Sequence, residues 1–139
     1  EQAQIITDMH FMLQLEVVER LAASPGSKDW GRLGVMAQFR CEVEQLFEVP
    51  PEAFYPQPKV RSAVVRLTPH PEPPFPNVDP TSLGRVVTQA FSQRRKTLRN
   101  NFKGTLEDSD FGTLAIDPSA RAETLSITDL VAITVHLQG

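Results

Sequence analysis

The sequence predicts an α/β fold over residues 1–68, the closing part of a sheet with its helices, followed by a small all-α module over residues 81–139. Three observations support this prediction. Stretches before residue 69 have the apolar alternation of strands, and those after residue 80 have the apolar spacing of helices. Between them, residues 69–80 contain six prolines in twelve positions. Because proline fixes φ and removes a backbone donor, we expect an extended linker there.

The first part alternates between strands and helices. HFMLQL (10–15) is typical of a buried strand, EVVERLAA (16–23) has helical spacing, and residues 31–38 predict a second short helix. FRCEVEQLFEV (39–49) predicts a half-exposed strand, because its first six residues alternate between apolar and charged, and VRSAVVRLTP (60–69) predicts a further strand. This order is typical of the closing edge of a mixed sheet.

The second part begins with a helix that the sequence marks clearly. Asp79-Pro80 pairs a capping side chain with proline at the first helical position. An apolar stripe follows, formed by Leu83, Val86, Val87, Ala90 and Phe91. Arg94 would interrupt that stripe if the helix continued. We therefore expect a break near Ser92-Gln93 and a second helix that carries Leu98 and Phe102.

Two further helices complete the predicted module. DSDFGTLAI (108–116) is expected to form a short helix that ends before Asp117-Pro118. Ser126 and Asp129 have the spacing of a capping box, which opens a last helix. The residues expected to face the core from that helix are Ile127, Leu130, Val131 and Val135.

The composition excludes several kinds of protein. Cys41 is the single cysteine, so no internal disulfide is expected, and a buried apolar role is favoured over a catalytic thiol. The three histidines have no second ligand at metal spacing, so we expect no metal. No apolar run approaches the roughly 18–20 residues that span a bilayer. With no secretory signal in the first residues, we expect a cytoplasmic protein and no membrane partner.

The net charge of −3 conceals a basic segment. Residues 54–103 hold nine Lys and Arg against Glu72 and Asp79, a net charge of +7 that leaves −10 for the rest of the chain. Such a segment indicates a local anionic partner, with nucleic acid the obvious candidate. A merely solvated basic face explains the charge equally well.

The densest group of cations lies in QRRKTLRNN (93–101), and it consists of Arg94, Arg95, Lys96 and Arg99. No acidic residue occurs from 80 to 106, so these cations cannot all pair with neighbouring acids. Guanidinium groups match phosphate geometry, which favours contact with an RNA or DNA backbone for Arg95, Lys96 and Arg99. Arg94 could instead cap carbonyls of the preceding helix. Asn100 and Asn101 could add hydrogen bonds to sugar or base.

Two other groups are less specific. In FYPQPKV (54–60), prolines stiffen a loop that presents two aromatic rings and a lysine, which suits base stacking. Taken alone, an anchoring role for Phe54 or Tyr55 is favoured. Glu16, Glu19, Arg20, Lys28 and Arg32 are most simply explained by surface ion pairs. The residues by themselves support a nucleic-acid-binding fragment and no further chemistry.

Several stretches resemble the KsgA/RsmA family of rRNA adenine N6,N6-dimethyltransferases, relatives of the Erm methylases. They occur in family order, and they are MLQLEVVERL (12–21), WGRLGVMAQ (30–38), FYPQPKVRSAVVRL (54–67), AFSQRRKTLRNN (90–101) and RAETLSITDL (121–130). The resemblance implies a Rossmann-like class I domain that binds S-adenosylmethionine and a helical domain that docks on the small ribosomal subunit. The implied reaction dimethylates two adjacent adenosines in a hairpin near the 3′ end of small-subunit rRNA, during ribosome biogenesis.

The family motifs for the methyl donor, and the N-L-P-Y motif that grips the target amine, do not occur in this sequence. We therefore expect a C-terminal fragment that enters partway through a helix, binds no cofactor and is inactive alone. Residues 1–68 would close the methyltransferase domain, and 81–139 would form the helical, ribosome-binding domain. The partner implied is small-subunit rRNA or the immature subunit. Self-association through the exposed edge of the partial sheet is also considered.

Residue by residue, the resemblance makes Phe54 the ring that packs on the flipped adenine, which reverses the anchoring interpretation. Lys59 would lie near the RNA backbone. The remaining implied RNA contacts are Arg94, Arg95, Lys96 and Arg99, with Arg20, Lys28 and Arg32 as weaker candidates at the cleft rim. Leu15 stands where the family usually has lysine, in Q-K-E-V. The rival interpretations are a non-catalytic RNA-binding module for ribosome assembly and, less favoured, a DNA-directed relative.

Overall fold

A computed structural model describes residues 8–138. In chain order its strands and helices are β1 (Met9–Gln14), α1 (Leu15–Leu21), α2 (Arg32–Arg40), β2 (Cys41–Val49), β3 (Ser62–Pro69), α3 (Pro80–Ala90), α4 (Leu98–Asn101), α5 (Asp108–Leu114) and α6 (Ile127–Gln138). Short 3-10 turns lie at Pro51–Ala53 and Ala122–Thr124. The expectation that the chain enters partway through a helix concerns residues outside this described range.

The three described strands form one sheet in the order β1-β3-β2, with both pairs antiparallel. On one side Met9 lies opposite Leu67. On the other, Val49 lies opposite Ser62, with an irregularity between Gln45 and Phe47. The predicted strands are therefore present, and within the described residues they are antiparallel throughout.

One face of this sheet is covered by α1. Ala63 and Val65 on the central strand are fully buried, and they pack with Val18 and Leu21 of the helix. Their two-residue spacing places both side chains on the same face. The period-two pattern of β3 thus produces a small apolar core between the sheet and α1.

The opposite face of the sheet leaves apolar side chains open. Met12 and Phe47 both lie opposite Val64 in the strand pairing. Their side chains remain 51% and 57% exposed. A face with large exposed apolar groups is typical of a surface that another element covers.

A second and larger core joins the helices to the first part of the chain. Trp30, from the loop between α1 and α2, is fully buried in it, and its indole Nε1 donates to the Leu125 carbonyl over 2.7 Å. From α2, Phe39 stacks on Phe75 of the proline-rich segment, with 6.2 Å between ring centroids. The division into domains at residues 69–80 stays a prediction, while the packing places residues from both sides of that segment in one core.

The predicted caps are confirmed. The Asp79 carboxylate accepts from the Ser82 backbone N–H over 3.1 Å at the start of α3. At the start of α6, Ser126 Oγ accepts from the Asp129 N–H and Asp129 Oδ2 accepts from the Ser126 N–H, both over 3.1 Å. Helix α3 ends at Ala90, so the break expected near Ser92-Gln93 is present.

Four local predictions were wrong. The first strand was expected to be buried, but β1 lies at an edge of the described sheet, and its Phe11 and Met12 are 43% and 51% exposed.

The other three concern helices. Phe39 belongs to α2 and not to the following strand, because its ring packs into the helical core. Val135 is 44% exposed, because the buried face of α6 is centred near Leu130 and Thr134. Successive residues of a helix are about 100° apart around its axis, so Val135 lies to one side of that face. Helix α5 ends at Leu114, since Ala115 adopts a left-handed conformation at φ 57°.

Asp110 joins α5 to α6. Its Oδ2 accepts from the Glu107 backbone N–H over 2.7 Å, and its Oδ1 lies 2.8 Å from His136 Nε2. The Glu107 hydrogen bond, followed by the one to His136, lowers the pKa of Asp110 below its usual 3.8. Both bonds favour the ionised carboxylate, so Asp110 stabilises the fold in its charged form.

Replacing Asp110 with Asn should lower stability at neutral pH, by an amount that shrinks on acidification. Because the folded-state pKa is lowered, the carboxylate contributes stability above its unfolded pKa, and this contribution is lost as pH falls through the folded pKa. Thermal unfolding of the parent and of Asp110→Asn, from about pH 7 to about pH 2.5, measures the difference in stability at each pH. Glu72→Gln is the control, since it removes an equal charge from an exposed side chain. A stability gap that widened toward the acidic end would contradict this assignment.

Candidate nucleic-acid interface

The turn between α3 and α4, with the first residues of α4, forms a cationic corner, defined here as Arg94, Arg95, Lys96 and Arg99. The turn is closed by the hydrogen bond from Lys96 N–H to the Gln93 carbonyl, 2.9 Å long, and Thr97 caps α4. Arg95 and Lys96 are exposed, and neither forms an ion pair with any residue from 8 to 138. These two cations are thus available to an external anion.

Asn101 supports the corner from inside. Its Nδ2 donates to the carbonyls of Ala90, over 2.9 Å, and of Gln93, over 3.0 Å. The side chain is buried, so the predicted bond from Asn101 to a sugar or base is wrong. It is Asn101, and not Arg94, that satisfies the carbonyls at the end of α3. Asn100 is exposed.

Arg99 has an acidic partner that the sequence argument missed. Its Nε lies 3.0 Å from Asp108 Oδ1, and both side chains are more than half exposed. Asp108 stands just beyond the acid-free stretch from 80 to 106, and the loop after α4 brings it back beside the helix. An exposed pair of this kind contributes little stability, so Arg99 can exchange its carboxylate for a phosphate. Its contact with RNA remains a prediction.

Arg94 connects the corner to the first part of the chain. Its Nη2 donates to the carbonyls of Lys28, over 2.9 Å, and Trp30, over 2.8 Å. Its guanidinium also lies over the Phe91 ring, 5.4 Å from the centroid. Arg94 does cap carbonyls, as the alternative interpretation expected. These carbonyls belong to the α1–α2 loop, however, and not to the preceding helix. A Cβ at Gly31 would approach the Arg94 guanidinium to 2.9 Å, so glycine leaves room for this contact.

These contacts create a basic groove beside the corner, about 420 Å³ in volume. The candidates expected at the cleft rim, Arg20, Lys28 and Arg32, all line it together with Arg94. Asp29 is the acidic residue of its lining. Arg20 also pairs with Glu16 over 2.6 Å, as the ion-pair interpretation expected. The structure therefore brings the weaker candidates next to one member of the cationic corner.

Phe54 and Lys59 lie in the loop between β2 and β3. The loop begins with a 3-10 turn in which Phe54 N–H donates to the Pro51 carbonyl over 3.1 Å, and its end is tied to α1 by Leu15 N–H donating to the Arg61 carbonyl over 2.8 Å. Phe54 is half-buried and Lys59 is exposed. Tyr55 is fully exposed, so the anchoring interpretation is wrong for that ring. The stacking role of Phe54 stays a prediction.

Other chemistry finds little support in residues 8–138. No three side chains among His, Cys, Asp and Glu in that range come together as metal ligands would. No helix of the described range is long and apolar enough to span a membrane. Cys41 is half-buried, and its burial raises the pKa of the thiol, which disfavours the reactive thiolate.

Comparison with known proteins agrees with the resemblance in the sequence. The family described as "Ribosomal RNA adenine dimethylase" matches residues 1–138. Ribosomal RNA small subunit methyltransferase A of Chromohalobacter salexigens is 59% identical over 132 residues, which are 95% of this chain and 47% of that protein. The Pseudomonas aeruginosa protein of the same name is 56% identical over 137 residues, 99% of this chain and 51% of that protein. The chain thus spans about half the length of these relatives.

Two solved structures share the fold. A dimethyladenosine transferase from Plasmodium falciparum superposes with a TM-score of 0.78 at 20% identity, over 96% of this chain and 57% of that one. The 23S rRNA methyltransferase ErmE superposes with a TM-score of 0.68, also at 20% identity, over 96% of this chain and 56% of that one. The small sheet with its helices therefore has the architecture of part of a methyltransferase.

Replacing Arg94 with Ala should destabilise the protein by about 2 kcal/mol, because the variant has neither the charged donor to two carbonyls nor the cation over Phe91. Urea unfolding followed by circular dichroism measures the change. Arg95→Ala is the matched control, expected within about 0.5 kcal/mol of the parent because its side chain is exposed and unpaired among the described residues. Equal stability of the two variants would show that Arg94 does not hold the α1–α2 loop.

Proposed function

This chain belongs to the ribosomal RNA adenine dimethylase family, and we propose that it is the C-terminal part of an enzyme that dimethylates adenine N6 in small-subunit rRNA. The proposed target is two adjacent adenosines in a hairpin near the 3′ end, modified in the cytoplasm during ribosome biogenesis. The relatives that this chain matches are about twice its length, so the activity of the whole protein is part of the proposal. The observation that supports RNA binding most directly is the exposed, unpaired state of Arg95 and Lys96 among residues 8–138.

Electrostatics favours an RNA backbone as the ligand of the cationic corner. Each cation that meets a phosphate releases counterions from the nucleic acid, which is favourable at low salt. Arg95 and Lys96 give up no ion pair among the described residues when they bind, and Arg99 gives up only an exposed one. The adjoining groove with Arg20, Lys28 and Arg32 extends the cationic surface toward the first part of the chain.

The loop of Phe54 is the proposed contact for the target base. An enzyme that acts on a base must take it out of the stack and hold it, and an aromatic ring supplies one stacking face. Phe54 is half-buried, which holds its ring more firmly than that of the fully exposed Tyr55. Lys59, exposed in the same loop, can contact a phosphate beside that base.

A groove between α2 and α3 does not fit S-adenosylmethionine, the donor proposed for the whole enzyme. The donor is a sulfonium cation whose ribose hydroxyls need acceptors. The groove, about 590 Å³ in volume, has arginines in its lining, no carboxylate and no aromatic ring. We therefore propose that other residues of the full enzyme hold the donor.

A non-catalytic RNA-binding module for ribosome assembly is the second candidate. The observation that favours it is the groove between α2 and α3, whose arginines suit RNA and whose lining has neither carboxylate nor aromatic ring for the donor. The two functions differ in whether the whole protein transfers methyl groups. They share the same contacts with RNA, so both are tested by binding.

The open edge of β1 and the exposed Met12 and Phe47 need a cover in the working protein. We propose that the part of the enzyme that this chain does not span supplies it, because the chain matches only about half of its relatives. A second copy of the chain is the alternative cover, and self-association of the isolated chain would be its consequence.

Replacing Arg95 and Lys96 together with Ala should weaken binding to an RNA hairpin and make the salt dependence shallower by about two units of slope, because each phosphate contact contributes about one unit. Fluorescence anisotropy at several salt concentrations measures both quantities. Arg66→Ala is the control, since Arg66 is already paired with Glu44 on the sheet. An unchanged slope in the double variant would exclude the corner as an RNA contact, and a larger loss for duplex DNA than for RNA would favour the DNA-directed alternative.

The isolated chain should transfer no methyl group to an RNA hairpin or immature small subunit. Transfer needs the donor carbon, the amine nitrogen and the leaving sulfur held in line. In our proposal this chain contributes one stacking ring, and the donor is held by the rest of the enzyme. Incubation with labelled donor measures incorporation, with a full-length relative as the positive control. Incorporation by this chain above the level without enzyme would refute the expected inactivity.

A further inference from the structure

A groove of about 590 Å³ lies between α2 and α3. Arg32 on α2 and Arg85 on α3 both line it, and so do Thr81 and Thr88. No carboxylate lines it. Neither guanidinium forms an ion pair with a residue between 8 and 138.

This combination of groups suits a phosphodiester. Two arginines in one groove without an acid repel each other and favour an anion between them, and hydroxyl groups donate to phosphate oxygens. Thr81, Thr88 and Arg85 are exposed, so a ligand can reach all three. Arg85 belongs to the basic segment of the sequence, but only the fold shows that it shares a groove with Arg32.

The floor of the groove is kept low by Gly84. Glycine within a helix destabilises it relative to alanine. A Cβ at this position would meet only Met36 Cε, at an ordinary contact distance of 3.9 Å, so helix packing does not require the absence of a side chain. What a side chain there would change is the depth of the groove between α2 and α3.

The groove adjoins the basic groove described above, because Arg32 lines both. We propose that the α2–α3 groove is a second seat for the RNA backbone, with Arg85 as a phosphate-contacting residue. This inference rests on the proposed RNA-binding function and extends its footprint. The RNA strand would run from the basic groove past Arg32 to Arg85, along the junction of α2 and α3.

The test uses the complete 139-residue chain and an RNA hairpin with two adjacent adenosines in its loop. Arg85→Ala should weaken binding about three- to tenfold at about 50 mM salt and reduce the salt slope by about one. Arg40→Ala is the matched control, since Arg40 is an exposed arginine at the other end of α2, outside both grooves. Both variants should keep the melting temperature of the parent.

A second pair of variants separates local from overall charge. Thr88→Glu places a carboxylate in the groove and should weaken RNA binding, while Thr113→Glu adds the same charge on α5 and should have a smaller effect. Unchanged affinity and slope for Arg85→Ala, in a chain where Arg95→Ala with Lys96→Ala does weaken binding, would overturn this inference alone. Failure of all these variants to alter binding would overturn the proposed function as well. If Arg85→Ala lost binding to a polyglutamate peptide and kept its RNA affinity, the groove would be assigned to an acidic protein. That result would also overturn the inference.

Discussion

The hydrogen bonds from the Arg94 guanidinium to the carbonyls of Lys28 and Trp30 set the relation between the two parts of the chain. They hold the turn after α3 against the loop after α1. The burial of Trp30 in the helical core reinforces the same junction. Because of this attachment, the cations of the corner and those of the first part keep a fixed spacing, which a ligand with regularly spaced phosphates can match.

Most cations of the corner and of the adjoining grooves lack acidic partners among the described residues. Several basic groups on the sheet are neutralised, such as Arg61 by Glu48 and Arg66 by Glu44. The exposed cations of the corner and of the α2–α3 groove are largely without such partners in the described range. A chain with a net charge of −3 thus has a group of cations on this surface that lack acidic partners among the described residues. Such a group favours an anionic partner at this surface without making the whole protein basic.

Local chemistry explains which features could be predicted from the sequence. Asp79 and Ser126 act on backbone groups within three residues, so their caps were predictable, as were strands with period-two patterns. The errors concern side chains whose partners are distant. Phe39 was misplaced because its ring stacks on Phe75, and Arg99 was thought unpaired because Asp108 approaches it only in the fold. For the same reason the sequence did not predict that Arg32 and Arg85 line one groove, since no sequence spacing links them.

The most direct test of the account is a nuclear magnetic resonance titration of the chain with the RNA hairpin, following the side-chain signals of arginine and the aromatic rings. We expect shifts at Arg95, Arg32 and Phe54, with Arg40 and Arg66 unaffected. Such a pattern would map the RNA onto one surface that spans both parts of the chain. Shifts confined to the arginines of the sheet, or no shifts at RNA concentrations that saturate binding, would contradict the claim that these helices and loops form the RNA-binding surface.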